Sequence, residues 1–320
     1  MHEFRYTQPK TAADALRALG APGALPLGGG TDLLVAIKEQ LVRPEELVDL
    51  RHLPGARAIT TLADGSVRIG SAVRIADLAS NAMIVEKYAV LAEAARQVGT
   101  PALRNMGTIG GNLGQRPRCW YFRRAVPCFK NGATGCPAVD GENQYHGIVD
   151  EGTCRAVHPS DPAVALAALD ALVEITGAEA RTVTIDELFD GAANNPLAEI
   201  ALNAGEMISA VILPAKSAGG TQRYVKLMQR GTWDFALVSL AAIKRTDGNV
   251  RMVLGGVAAA PWRVNPSIEE DVGSGELDPE SIDALTERAL YDVAPLSKNG
   301  YKVTQAAALL KDAMRELSHA

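Results

Sequence analysis

Residues 24–34 read Ala24-Leu25-Pro26-Leu27-Gly28-Gly29-Gly30-Thr31-Asp32-Leu33-Leu34, and residues 104–114 read Arg104-Asn105-Met106-Gly107-Thr108-Ile109-Gly110-Gly111-Asn112-Leu113-Gly114. In the first stretch an apolar, strand-like segment runs into three glycines and then into a helix-like segment. Glycines at that junction let the backbone approach a ligand, and free amides there can donate to pyrophosphate oxygens. Thr31 adds a hydroxyl donor. The dinucleotide fingerprint GxGxxG requires a glycine at position 33, where this chain has Leu33, so the common nicotinamide-dinucleotide motif is incomplete. Alone, such a cluster is more often only a tight turn. The second loop again combines close backbone approach with polar side chains, and two loops of this kind can clamp one dinucleotide.

Working outward, residues 1–55 read as a small α/β unit, with a helix-like segment at 11–19 and a second short strand at 48–50. Segments 58–62 and 67–69 flank Asp64-Gly65, a hairpin turn signal, and 75–79 and 91–98 have helical spacing. From 116 to 156 periodicity disappears, and irregular structure of that length inside a compact domain is usually functional. Pattern resumes at His158-Pro159-Ser160-Asp161, where Ser160 or Asp161 suits a helix cap and Pro162 the first turn. Strands are expected at 173–175 and 182–185. From 178 a further domain is expected, with apolar segments at 207–213, 221–228, 236–244 and 250–257 and helices at 280–290 and 301–317.

The 320 residues are enough for two or three domains, and 47% hydrophobic with 22% charged residues excludes disorder. A net charge of -5 disfavours nucleic acid as the main partner. No apolar run approaches the roughly 18 residues needed to span a bilayer, so no membrane insertion is expected. Residues 1–6 have neither an apolar core nor a cleavage pattern, so the chain is read as carrying no export signal of its own. No nucleophile triad, HExxH or P-loop occurs, which removes hydrolase and ATPase readings at motif level.

All four cysteines fall in the irregular stretch, with the spacing Cys119-x8-Cys128-x7-Cys136-x17-Cys154. There is no CxxC, so neither the usual zinc-ribbon nor a thioredoxin-type motif is matched. Four thiolates are the complement of a cubane iron–sulfur cluster, and Pro127-Cys128, Lys130-Asn131-Gly132 and Gly135-Cys136-Pro137 supply turns to wrap one. On spacing alone, cluster, zinc and ordinary thiols all stay open. His146 reads as a surface histidine, and Arg116, Arg118, Arg123, Arg124 and Lys130 read mostly as solvated charges that also suit the surround of an anionic cluster.

The pairing of Gly28-Gly29-Gly30-Thr31-Asp32-Leu33 with Thr108-Ile109-Gly110-Gly111-Asn112-Leu113 resembles the FAD-binding medium subunit of the molybdenum hydroxylases, the xanthine dehydrogenase and carbon monoxide dehydrogenase group. The resemblance extends to Ser160-Asp161, residues 226–239, Gly255-Gly256-Val257 and Asn299-Gly300-Tyr301-Lys302. It implies an α+β fold: a two-part FAD-binding domain over 1–177, built from a small α/β unit (1–55) and a larger α+β unit (56–177), followed by a C-terminal α/β domain over 178–320. The iron–sulfur insert spans about 115–157. It further implies that Leu27, Gly28, Gly29, Gly30, Thr31, Asp32 and Leu33 wrap the FAD pyrophosphate and that Thr108, Gly111 and Asn112 bind from the other side. Ile109 is placed near the flavin ring. Asp161 matches the aspartate that bonds the cofactor's polar end, and Lys226 a basic residue near the flavin, though helix capping and a snorkelling surface lysine are the ordinary readings of these two.

The cysteine segment resembles that of two branches whose flavin subunits carry an extra [4Fe–4S] cluster, 4-hydroxybenzoyl-CoA reductase and the bacterial aldehyde oxidoreductases. Arg118-Cys119-x-Tyr121-Phe122, Pro127-Cys128, Gly135-Cys136 and Cys154 ahead of His158-Pro159-Ser160-Asp161 look closer to the second. The resemblance thus implies one FAD and one [4Fe–4S] cluster held by Cys119, Cys128, Cys136 and Cys154 in an electron-transfer subunit of a heterotrimer. A large subunit with the molybdenum cofactor, a small subunit with two [2Fe–2S] clusters and an external electron acceptor are the expected partners. No catalytic residue is expected here, and the complex is expected in the cytoplasm, or in the periplasm on a partner's signal. The competing readings are a free-standing flavoenzyme with its own substrate, a flavin subunit of the hydroxybenzoyl-CoA reductase or xanthine dehydrogenase kind, and a zinc-binding scaffold.

Overall fold

The computed structural model describes residues 2–150, 152, 154–191, 195 and 197–320. Its first unit is a three-stranded parallel sheet of β1 (Arg5–Thr7), β2 (Ala24–Leu27) and β3 (Glu46–Asp49) in the order β1-β3-β2, with α1 (Ala12–Leu19) and α2 (Leu33–Lys38) between the strands. Alternation along β3 decides the layering. Val48 packs against Ala15 and Leu19 of α1, while Leu47 packs against Leu27 of β2 and Ile37 of α2 on the other face.

The second unit is a five-stranded antiparallel sheet in the order β4-β5-β8-β6-β7, made of β4 (Ile59–Thr61), β5 (Val67–Gly70), β6 (Leu172–Thr176), β7 (Arg181–Thr184) and β8 (Met207–Leu213). The Asp64-Gly65 turn forms as expected, with Gly65 at φ 82° closing the β4–β5 hairpin. Between β5 and β6 the chain makes α3 (Ile75–Ser80), α4 (Ala82–Lys87), α5 (Ala89–Arg96), α6 (Pro101–Met106), α7 (Ile109–Leu113), α8 (Trp120–Arg123) and α9 (Asp161–Ala168); α10 (Ile185–Phe189) follows β7. Residues 207–213, expected with the C-terminal segments, pair instead with both β5 and β6. The break expected at 177 therefore falls inside this sheet.

The third unit is antiparallel throughout: β9 (Thr221–Leu227), β10 (Val238–Lys244), β11 (Val250–Gly255) and β12 (Trp262–Arg263) in the order β12-β11-β10-β9, followed by α11 (Pro266–Gly273), α12 (Pro279–Ala289) and α13 (Tyr301–Ser318). Strand β10 is buried on both faces, so apart from Ser239 it reads as an apolar run up to Ile243 rather than an alternating one. Its Ala241 and Ile243 join the core that contains α5 and α9, while Val238, Leu240 and Ala242 face the core formed with α11–α13. Among the described residues no helix is long and apolar enough to cross a membrane.

Candidate cofactor and metal site

The two glycine loops meet backbone to backbone. The chain leaves β2 opposite Asp49 and turns at once across the second loop. A Cβ on Gly28 would stand 2.6 Å from Thr108 Oγ1, and one on Gly29 only 1.9 Å from the Met106 carbonyl oxygen, so glycine alone permits this approach. Gly30, at φ 73°, then swings the chain into α2. The amides of Gly29, Gly30 and Thr31 make no backbone hydrogen bond among the described residues.

On the facing loop, Thr108 caps α7, its Oγ1 accepting from Gly111 N at 3.2 Å. Ile109 N and Gly110 N donate to Val73 O and Ser71 O, each at 2.9 Å, which pins the loop to the end of the second sheet. Asn112 Oδ1 accepts from Ser160 Oγ at 2.5 Å. A cleft of about 330 Å³ opens between the loops, lined by residues 28–33, Thr108, Gly110, Gly111, Gln115, Arg116 and Glu199. Its free amides, hydroxyl and missing Cβ atoms fit a pyrophosphate-bearing group. Leu27 and Ile109 are buried in the core instead of lining the cleft.

Asp32, at the edge of this cradle, binds the insert through its carboxylate. Its carboxylate accepts from Arg116 N at 2.9 Å and from Arg123 Nη2 at 2.8 Å, and pairs with Arg118 Nη1 at 2.8 Å. Glu199 makes a second tie, to Arg116 Nη2 and to Lys130 Nζ, each at 3.0 Å. Arg116, Arg118, Arg123 and Lys130, read in sequence as mostly solvated, are thus paired and largely buried. The reason is the carboxylates that two other parts of the chain present to them. Burial pulls the pKa of Arg118 down to about 10, with Asp32 the strongest opposing charge.

Beyond this seam Cys119, Cys128, Cys136 and Cys154 line one small cavity together with Tyr121, Phe122, Phe129, Lys130, Pro137, His146 and Ala156. None forms a disulfide, and among the described residues no three His, Cys, Asp or Glu side chains stand in the arrangement of a single-ion site. Burial foremost pushes the Cys119 thiol up to about 11, with Cys154 and Cys136 adding to the rise; Cys154 is raised by burial too, and further by Cys136 and Cys128. Lys130, which lines the same cavity, opposes the rise at Cys154, and a cationic centre among the four sulfurs would relieve desolvation and mutual repulsion further. The donor set fits an iron–sulfur group.

His146 is a correction to its sequence reading as a surface residue: it is 3% exposed and its Nε2 lies 3.2 Å from Cys119 Sγ. Contacts from the far end of the chain bury it. Asn299 Nδ2 donates to the carbonyls of His146 and Gly147, both at 3.1 Å, Tyr301 Oη to Gln144 O at 2.7 Å, and Lys302 Nζ to Tyr145 O at 3.2 Å and Gly256 O at 2.8 Å. Burial, with Lys302 adding to it, lowers the His146 pKa to about 4, so the ring is neutral.

Asp161 and Lys226 are brought together, though not in the cleft. Lys226 Nζ lies 2.8 Å from Asp161 Oδ2, and Tyr224 Oη donates to Asp161 Oδ1 at 2.7 Å. Lys226 is buried, not snorkelling, because Tyr224 and Lys226 share the inward face of β9 beneath the start of α9. Burial raises the Asp161 pKa and the two donors oppose it. The helix cap is Ser160, whose Oγ accepts from Ala163 N at 3.0 Å, so Ser160 links α9 to Asn112. Sequence reasoning missed Glu199, which no motif marks, and the role of His146; Asn299-Gly300-Tyr301-Lys302 was noticed without its task.

Comparison with known proteins bears on the family and the fold. The sequence profile described as the FAD binding domain in molybdopterin dehydrogenase matches residues 2–216. The aldehyde oxidoreductase FAD-binding subunit PaoB of Escherichia coli K12 is 37% identical, the match covering 99% of this chain and 98% of that protein. The carbon monoxide dehydrogenase medium chain of Hydrogenophaga pseudoflava is 28% identical, covering 97% and 96%. Among solved structures, reconstituted CO dehydrogenase from Oligotropha carboxidovorans superposes with a TM-score of 0.74 at 25% identity, covering 99% of each chain.

Proposed function

The chain belongs to the family of FAD binding domains in molybdopterin dehydrogenases, as an oxidoreductase subunit that binds FAD, and we propose that it also carries one [4Fe–4S] cluster and relays electrons in an aldehyde-oxidising complex. The observation that supports the reading most is the adjacency of the two sites: Glu199, which lines the glycine cleft with Arg116, pairs both with Arg116 and with Lys130, which lines the four-thiol cavity. FAD supplies the exchange between two-electron and one-electron chemistry when bound. The chain's own part is to hold the pyrophosphate on the amides of residues 29–31 and on Thr108 and Gly111, with Asn112 steadied by Ser160. Asp161 and Lys226 support α9 from below, and Ser160 ties the start of α9 to Asn112 of α7.

The substrate class rests on the whole-length likeness to an aldehyde oxidoreductase subunit. In this reading the substrate is oxidised elsewhere, on a large molybdenum subunit, with [2Fe–2S] centres of a small subunit as electron donors; the two carboxylates at the cleft, Asp32 and Glu199, are held in ion pairs with the insert. An external acceptor then takes the electrons, and the heterotrimer acts in the cytoplasm. Purified complex should contain one FAD per copy of this chain. Each of Cys119→Ser, Cys128→Ser, Cys136→Ser and Cys154→Ser should lose about four irons and four acid-labile sulfides relative to wild type. Full iron in all four variants, or zinc without sulfide in wild type, refutes the cluster.

A further inference from the structure

We propose that His146 is a positioning residue for the cluster: its Nε2–H donates a hydrogen bond to the Cys119 sulfur and raises the cluster's reduction potential. The inference rests on the cluster reading above. His146 Nε2 is 3.2 Å from Cys119 Sγ, while His146 Nδ1 is buried with no partner among the described residues. An imidazole carries at least one N–H. Were that proton on Nδ1, a donor would be orphaned in the interior, which folded proteins avoid more strictly than an unpaired acceptor. The proton therefore belongs on Nε2, and a thiolate at Cys119, bound to iron and without its own proton, accepts it.

The ring has little freedom to do otherwise. Trp120 and Tyr121 pack on it with ring centroids 5.6 and 6.0 Å away. Its backbone is held by Asn299, and its neighbours Asn143, Gln144 and Tyr145 are held by Lys298 N, Tyr301 and Lys302. One-electron reduction adds negative charge that is partly carried on the ligating sulfurs. A donor at one sulfur stabilises the reduced form more than the oxidised form, so the potential rises.

The test uses the complex as purified, in wild type, His146→Phe and His146→Gln. Phenylalanine keeps the ring and removes the donor; glutamine places an amide N–H near the position of Nε2. Iron, sulfide and FAD are counted first, and the cluster's midpoint potential is then followed by electron paramagnetic resonance during a redox titration. Both variants should keep the cluster and FAD. His146→Phe should shift the midpoint downward by an amount equivalent to about a tenfold change in the reduction equilibrium, 59 mV for one electron, and His146→Gln should recover at least half. Loss of iron in His146→Phe alone, with a near-wild-type potential in His146→Gln, also supports a donor that holds the thiolate. An unchanged potential in His146→Phe overturns the proposal, as does loss of iron in both variants, which would make His146 a ligand or a packing element. Wild type without iron and sulfide refutes the cluster reading itself, a separate outcome.

Discussion

Replacing Asp32 with alanine removes one carboxylate that three groups of the insert share: Arg116 N, Arg118 and Arg123. The side chain is 16% exposed, so water screens these contacts only partly. Hydrogen bonds to charged groups contribute about 1.5–3 kcal/mol each, but the loss is smaller than three such terms. Arg123 keeps the carbonyls of Pro117 and Arg116, and Arg118 keeps Gln115. What is left is a largely buried guanidinium at Arg118 without its main counter-charge, and breaking a buried pair costs about 3–5 kcal/mol. A loss near the lower end, about 3 kcal/mol, follows. Asp32 sits directly after the glycine turn, so that loss frees the first loop from the insert. Expressed wholly in cofactor affinity it amounts to roughly 150-fold. The assay is fluorescence titration of flavin-stripped complex with FAD, alongside iron retention, since coupling between two binding sites is reciprocal. Asp77→Ala is the control: its pair with Arg74 lies at the surface and should change neither readout. An FAD dissociation constant for Asp32→Ala within about threefold of wild type, with undiminished iron, would refute the idea that this carboxylate fastens the cradle to the insert.

Two further outcomes are expected. Gly111→Leu should abolish FAD retention while leaving the thermal midpoint of the flavin-free protein nearly unchanged, because a Cβ there stands 3.1 Å from Thr108 Oγ1 and 4.0 Å from the Gly28 Cα and the rest of the side chain must enter the cleft; wild-type flavin content would sink this placement. Lys302 is fully buried with carbonyl partners only, and burial lowers its pKa from the ordinary 10.5 to about 7. Between those values the unfolded chain binds the proton and the folded one does not, so this group's stabilisation is complete above pH 10.5 and is lost as pH falls toward 7. The unfolding free energy of wild type minus that of Lys302→Met, from denaturant titration, should accordingly rise across pH 7.5 to 9.5, by up to about 1.4 kcal/mol per unit, and a flat difference would show that the ammonium stays charged.

Local pattern carried far into the fold. The Asp64-Gly65 turn, the apolar run of β10 and the Thr-capped second loop each depend on neighbours within a few residues, and the glycine triplet announces a close backbone approach whatever approaches it. Contacts spanning the chain were not legible. Residues 207–213 look like any buried strand, and only the gap left between β5 and β6 decides which sheet receives them. His146 looks exposed because the groups that bury it come from residues 298–302, more than 150 positions later. Lys226 had a usable signal: it alternates with Tyr224 on a strand, and a lysine on the inward face of a strand requires a carboxylate, which Asp161 at the start of α9 supplies.

The charge balance of the seam bears on why the two sites lie together. Arg116, Arg118, Arg123 and Lys130 meet there the carboxylates of Asp32 and Glu199, with Glu39 reaching Arg123 at 3.9 Å from a half-exposed position. Four cations face two partly buried carboxylates and the more exposed Glu39 in a chain whose net charge is -5, so the seam carries a local excess of positive charge. Lys130 and Arg116 sit on its two flanks, the first lining the thiol cavity and the second the glycine cleft. A surplus of cations at partly desolvated positions is costly unless negative charge is delivered close by. A pyrophosphate on one side and a four-thiolate cluster on the other would deliver it. The same electrostatic feature therefore favours filling both sites, and it gives each group a share in the other's retention without any moving part.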